Sequence, residues 1–198
     1  MISLLAYLFV FAAGGAQAGI VPFFAFAAGT PQSGDVPLFD FITDQRLRGW
    51  YVVTDGVMGG SSRGNVVQGK GKYAVFSGNV SGGGGFVSLW SRDAALDLMK
   101  FDGLAIRVRG DGKTYRLAMK NGRGVDVIQY MGRITPPRSG WSVLRVRFDE
   151  MVPMFRGEIL KVAPRINPGQ TMAVGVMIAD GQEGPFELMI ERISAYVE

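Results

Sequence analysis

An all-β fold of the sandwich or barrel type is what the sequence predicts for the residues from Asp35 to Glu198, and three observations lead there. Short runs alternate apolar with polar residues, which is the period of a strand with one covered face. Turn-forming residues separate those runs, in a chain that holds 29 glycines and nine prolines. A helical period is hard to find. The best segment is Ala94-Ala95-Leu96-Asp97-Leu98-Met99 behind Asp93 as a candidate cap, one or two turns at most, and the crossover helices of a βαβ fold have no room.

Taken in order, Trp50 to Ser62 reads WYVVTDGVMGGSS, a turn between an edge strand and the core. Asp55-Gly56 turns the chain, and Gly59-Gly60 permits positive φ or close backbone approach; the alternative is a ligand or partner surface. Strands are expected over Tyr73 to Phe76 and Gly84 to Leu89, joined by the glycine cluster after Asn79 as a hairpin or bulged strand. The alternative for that cluster is a row of amides facing an anion. Leu104, Ile106 and Val108 alternate with Ala105, Arg107 and Arg109, Gly110-Asp111-Gly112 turns, and Tyr115, Leu117 and Met119 follow with Arg116 and Lys120 opposite. That pattern predicts a hairpin with one buried and one charged face. Val125 to Tyr130 is a further strand. Leu144, Val146 and Phe148 then oppose Arg145 and Arg147; Met172, Val174, Val176 and Ile178 form an inner face; Phe186, Leu188 and Ile190 oppose Glu187 and Glu191 before a last stretch through Ile193 and Tyr196. Eight or more strands result, with inner faces about 10 Å apart.

The chain of 198 residues is enough for one domain, and that domain buries roughly 68–70% of the surface its unfolded chain exposes. Cysteine and histidine are both absent, which removes disulfides, thiol chemistry, the commonest neutral-pH base and the commonest transition-metal ligands. The 21 basic and 17 acidic residues are interspersed, so the net +4 reads as a solvated surface; nucleic acid is not an expected partner.

No charge occurs from Met1 through Gly34. Residues 1–18 end in the small-residue cleavage pattern Ala16-x-Ala18 before Gly19, the form of a secretory signal peptide, with Ala25-Phe26-Ala27 as a second site. Left uncut, the same uncharged stretch is long enough to anchor the chain in a bilayer. A wrongly assigned start, or an apolar tail on a cytoplasmic protein, is the third reading. Residues 19–34 are an apolar segment and linker, and 35–198 the domain. The first two readings place it in the periplasm or at the cytoplasmic membrane.

The chemistry-bearing residues form no recognisable catalytic centre. Asp55, Asp111 and Asp126 are far apart in sequence, and a glycosidase pair would have to be assembled by the fold. Asp111 lacks the spacing of a calcium loop, and neither a metal nor a cofactor is expected. Trp50, Trp90 and Trp141 are the residues most able to make a carbohydrate or protein platform. Core positions are expected for Trp50 and Trp141, whereas Trp90, among Ser88, Ser91 and Arg92, suits core and platform equally. The dispersed methionines read as apolar filling.

The string Trp50-x4-Asp55-Gly56-Val57-Met58-Gly59-Gly60-x-Ser62 resembles the signature of the family of the mitochondrial complex I intermediate-associated protein, an assembly factor for NADH dehydrogenase. The likeness continues through Phe76-Ser77-Gly78-Asn79, Gly83 to Ser88, Asp102-Gly103-Leu104, Arg109 to Tyr115, Trp141, Val152 to Gly157 and Gly184 to Leu188. It implies a galactose-binding-like jelly-roll β-sandwich and a non-enzymatic role in assembling a membrane complex. On that reading, Trp50, Asp55, Met58, Gly59, Gly60, Asn79, Gly84, Phe86, Trp90, Arg109 and Asp111 are the candidate partner-binding residues, and respiratory-complex subunits or intermediates the expected protein partners. A cell-envelope module that binds glycan is the alternative.

Overall fold

The computed structural model describes residues 34–42, 47–70 and 73–198. It is an all-β sandwich of two antiparallel sheets, consistent with a jelly-roll, galactose-binding-like architecture. The readings of residues 1–33 lie outside the described residues.

One sheet has six strands: β1 (Val36–Asp40), β3 (Arg63–Gln68), β4 (Ala74–Val80), β6 (Gly103–Gly110), β9 (Ser142–Arg147) and β13 (Gly184–Tyr196). Their order is β3-β4-β13-β6-β9, with β1 also pairing along β13. The other has seven: β2 (Trp50–Thr54), β5 (Val87–Ser91), β7 (Tyr115–Lys120), β8 (Gln129–Ile134), β10 (Val152–Phe155), β11 (Glu158–Ile159) and β12 (Ala173–Ile178), in the order β11-β10-β8-β7-β12-β5-β2. The long β13 carries both of the last two predicted runs, and its register with β6 shifts between Ile190 and Arg192.

The main core lies between the sheets, where the predicted inner faces meet. Tyr115, Leu117 and Met119 of β7 and Val174, Val176 and Ile178 of β12 pack there with Ile106 and Val108 of β6 and Leu188 and Ile190 of β13. Phe76 and Phe186 meet edge to face at 4.9 Å, and Trp50 packs on Phe39 and Phe41 at 5.1 and 5.2 Å. Trp50 is thus partly buried and packs against the core, the side expected of it.

Five expectations need correction. The hairpin predicted across Gly110-Asp111-Gly112 does not form, because β6 and β7 belong to different sheets and the turn carries the chain from one to the other. Asp111 fixes that crossing, accepting from the Lys113 N–H at 2.9 Å, the Tyr115 hydroxyl at 3.0 Å and the Glu187 N–H at 3.0 Å. Burial first, then the Asp111 carboxylate, pushes the Tyr115 hydroxyl up, so it remains a donor. The glycine cluster at Ser81 to Gly85 likewise crosses between sheets, from β4 to β5, and makes no hairpin. The segment Ala94 to Met99 forms no helix: Ala94 and Leu96 donate their N–H groups to Met172 and Thr171, both at 2.7 Å, Leu96 bridges Thr171, and Leu98 is buried. Pairing and side-chain burial there outweigh weak local helix preference. Trp141 lies outside the core, half-buried against Tyr73 at 5.5 Å with the Arg107 guanidinium over its ring. The strand expected over Val125 to Tyr130 begins only at Gln129.

Candidate ligand groove on the seven-stranded sheet

The outward residues of the seven-stranded sheet build a second apolar cluster, separate from the core. Register places Tyr51, Trp90, Gly175, Ala118 and Met131 in one row across β2, β5, β12, β7 and β8. Trp90, Ala118 and Met131 are buried there with Met154 and Ala173, and Tyr51, Val53 and Met177 pack at the margin. Ordinarily an outward sheet face is solvated. Here it is the floor of a groove of about 770 Å³.

Glycine at 175 is what lets the indole of Trp90 lie against β12. A Cβ at that position would stand 2.6 Å from the ring and 2.5 Å from the Leu89 carbonyl oxygen. The indole N–H donates to Ser88 Oγ at 3.1 Å, and Ser88 Oγ donates to the Val53 carbonyl at 3.2 Å. The donor of this buried ring is therefore satisfied within the sheet.

Two cations rise from β7 into the same face, Arg116 at 8% exposure and Lys120 at 1%. Arg116 makes a forked pair with Asp180, its Nε at 3.0 Å from Oδ2 and its Nη2 on Oδ1, and Nη1 lies on the sulfur of Met154. The Lys120 ammonium donates to the Tyr51 hydroxyl at 3.1 Å and to the Gly124 carbonyl. It also stands 5.0 Å from the Trp90 ring centroid and 5.8 Å from that of Tyr51, within cation–π range.

Loops raise the walls. On one side is the Asp55 to Ser62 segment, which presents Val57 and Met58 at 67% and 58% exposure. Behind them Asp55 is a buried clasp: its carboxylate accepts from the Ser62 N–H at 2.9 Å, the Ser62 hydroxyl at 2.6 Å and the Ser81 hydroxyl at 3.0 Å. Burial alone would push the Asp55 carboxyl up; these donors outweigh it and hold the group below the usual carboxylate range. Gly59 turns the loop with a φ of 85°, and the backbone of Gly60 passes so close that a Cβ would stand 2.2 Å from the Asp55 carboxyl carbon. The glycine cluster closes over the same clasp and brings Gly84 and Phe86 to the groove. On the far side Arg156 grips Asp126 with two bonds of 2.9 and 2.8 Å.

The structure therefore brings Met58, Gly84, Phe86 and Trp90 together at the groove, with Asp55, Gly59 and Gly60 shaping its rim. It does not bring Trp50 there, since that ring faces the core. Asn79 and Arg109 are exposed on the six-stranded sheet, and Asp111 holds the crossing turn. Sequence reading missed Arg116, Lys120, Met131, Met154 and Asp180 as groove residues. The available signal was the alternation of Arg116 and Lys120 with the core residues of β7, but alternation does not say which outer face is walled. No group of three or more His, Cys, Asp or Glu among the described residues could hold a metal ion.

Fold and groove together define a two-sheet β-sandwich module with a groove on the outer face of one sheet. Its family follows from the sequence: the model of the complex I intermediate-associated protein 30 (CIA30) family matches residues 39–190, and the chain belongs to that family. Among solved structures it is similar to a family 11 carbohydrate-binding module from Clostridium thermocellum in complex with a β-1,3-1,4-mixed-linked tetrasaccharide, with 17% identity, a TM-score of 0.62, and coverage of 84% of this chain and 98% of that one. The same module family from a cellulosomal cellulase of Clostridium thermocellum matches at 16% identity and a TM-score of 0.61 over 85% of this chain and 98% of the other. An agarase matches at 10% identity and a TM-score of 0.58, over 84% of this chain and 25% of its own. At such identities the likeness is one of fold.

Proposed function

We propose that this chain is a non-catalytic carbohydrate-binding module of the cell envelope, which takes a segment of glycan in the groove of the seven-stranded sheet. The observation that carries the reading is the groove floor: an indole laid against the sheet among apolar side chains, flanked by Arg116, Lys120, Asp180 and Gln129. Sugars present apolar C–H faces and a rim of hydroxyls, and a site for them combines aromatic or apolar area with a few fixed polar groups. The sandwich likeness to carbohydrate-binding modules points the same way, by analogy of fold. The uncharged residues 1–34 support export to the periplasm or anchoring at the cytoplasmic membrane.

Titrating the protein with the mixed-linked tetrasaccharide and with a glycan array, read by tryptophan fluorescence and calorimetry, is the direct test. Saturable binding that Trp90→Phe weakens is the expected result. No binding of any glycan at millimolar concentration sinks the reading.

A second reading is an assembly factor that holds subunits or intermediates of a respiratory membrane complex. Family membership favours it, as do Val57, Met58 and Val125, exposed apolar side chains on opposite walls of the groove. Crosslinking pull-down from native membranes in mild detergent tests it: recovery of respiratory subunits that V57S/M58S abolishes supports this reading, and equal recovery with that variant removes its basis.

A further inference from the structure

The charges of the groove are unequally matched. Asp180 is forked by Arg116, with Arg133 Nη2 at 3.7 Å from its other side, and Asp126 is forked by Arg156. Glu158 stands exposed at the rim, where water screens it. Lys120 differs from all of these. It is 1% exposed, and no carboxylate among the described residues lies within ion-pair distance of its ammonium.

Its hydrogen-bond and ring contacts are a phenol oxygen, one backbone carbonyl and two ring faces, all uncharged. An ammonium carries three donors, and the two named bonds leave one over. Burying a cation without a counterion is unfavourable, and a well-placed, hydrogen-bonded partner of opposite charge offsets that cost. Structural lysines more often extend their ammonium to water. This one is held down in the groove, with Tyr51 and Trp90 fixing its place on the floor.

We propose that Lys120 is the anchor for a carboxylate, and that the groove selects acidic glycans, those containing uronate residues, over neutral ones. The proposal rests on the carbohydrate reading above and names the sugar class for that same site. The uronate carboxylate completes the ammonium's donors and supplies the missing counterion. The sugar ring lies along the apolar floor beside Trp90, and hydroxyls meet the Arg116–Asp180 fork. A neutral sugar leaves the buried charge uncompensated.

The test uses the full chain and a panel of uronate oligosaccharides, including oligogalacturonate, alginate and heparosan fragments, each beside its carboxyl-reduced neutral counterpart. Calorimetry should show at least one acidic oligosaccharide bound about tenfold or more tighter than its reduced form. Lys120→Met should erase that ratio, while Lys120→Arg should keep most of it. Free glucuronate should compete with the wild-type protein and glucose should not, a measurement that needs no variant and stands even where Lys120→Met does not fold. Neutral forms binding as tightly as acidic ones overturn the anchor and leave the carbohydrate reading standing. A preference that survives in Lys120→Met also overturns it. If no sugar binds, both readings fall, and direct binding of an acidic peptide by calorimetry then points to a protein carboxylate as the occupant.

Discussion

The outer faces of the two sheets carry the same kind of sequence and have opposite fates. On the six-stranded sheet Arg107 and Arg109 of β6 and Arg145 of β9 alternate with core residues and stand in solvent; Arg107 pairs with Glu191 at 2.9 Å and Arg145 with Asp35 at 2.8 Å. On the seven-stranded sheet Arg116 and Lys120 of β7 alternate in the same way and are buried. Both β6 and β7 are interior strands of their sheets, so position in the sheet does not explain the difference. The walls do. Around the second face rise the Asp55 loop, the glycine cluster and the turn between β10 and β11, and its floor carries Trp90 and Met131. Period-two alternation tells which side chains share a face, and the loops decide whether that face is surface or site.

The sharpest way to break this contrast is to truncate the tryptophan of each outer region. Trp90→Ala should cost about 3–5 kcal/mol, the range for a large aromatic removed from a packed site, whereas Trp141→Ala should cost about 1 kcal/mol, the worth of an aromatic pair. Urea denaturation measures both. Equal losses would mean that the groove floor is no better packed than the open face.

Next in size is the clasp that holds up one wall. Asp55→Asn should lose about 1.5–3 kcal/mol at neutral pH, as for hydrogen bonds to a charged group. Because the folded carboxyl lies below its unfolded value of about 3.9, its contribution is complete above that pH and fades as pH falls through the lower folded pKa. Thermal melts of wild type and Asp55→Asn between pH 3 and 7 should therefore converge in acid. A gap that stays constant down to the lowest pH would show that the charge of Asp55 is not what matters.

The smallest effect belongs to the solvated sheet. Arg109→Ala should change stability by less than about 0.5 kcal/mol, as for a surface site without special partners. A loss of 2 kcal/mol or more in the same denaturation experiment would give that face a burial the structure does not show.

Much of the candidate site was legible as composition and little of it as geometry. Met58, Gly84, Phe86 and Trp90 were singled out from the glycine-flanked signature, and all four reach the groove. The signature's Asp55, Gly59 and Gly60 proved to hold the rim, their spacing set by the need to fold a loop tightly round a buried carboxylate. Asn79, Arg109 and Asp111 came from the same family-like stretches and lie on the other sheet or its crossing turn. A shared motif records whatever a fold needs, support as well as contact.

By itself the sequence determined the all-β class, the inner faces of most strands, the core side of Trp50 and the family. These follow from local rules: alternation selects the face and glycine permits the turn. Only the tertiary structure decided that β6 and β7 part company at Gly110-Asp111-Gly112, that Leu96 pairs with Thr171 where a helical turn was expected, and that Lys120 is buried without a carboxylate beside it. Each of those depends on residues tens of positions apart in the chain, such as Tyr51 with Lys120 or Asp111 with Glu187. No local pattern encodes such meetings, because they exist only when the two sheets close on each other.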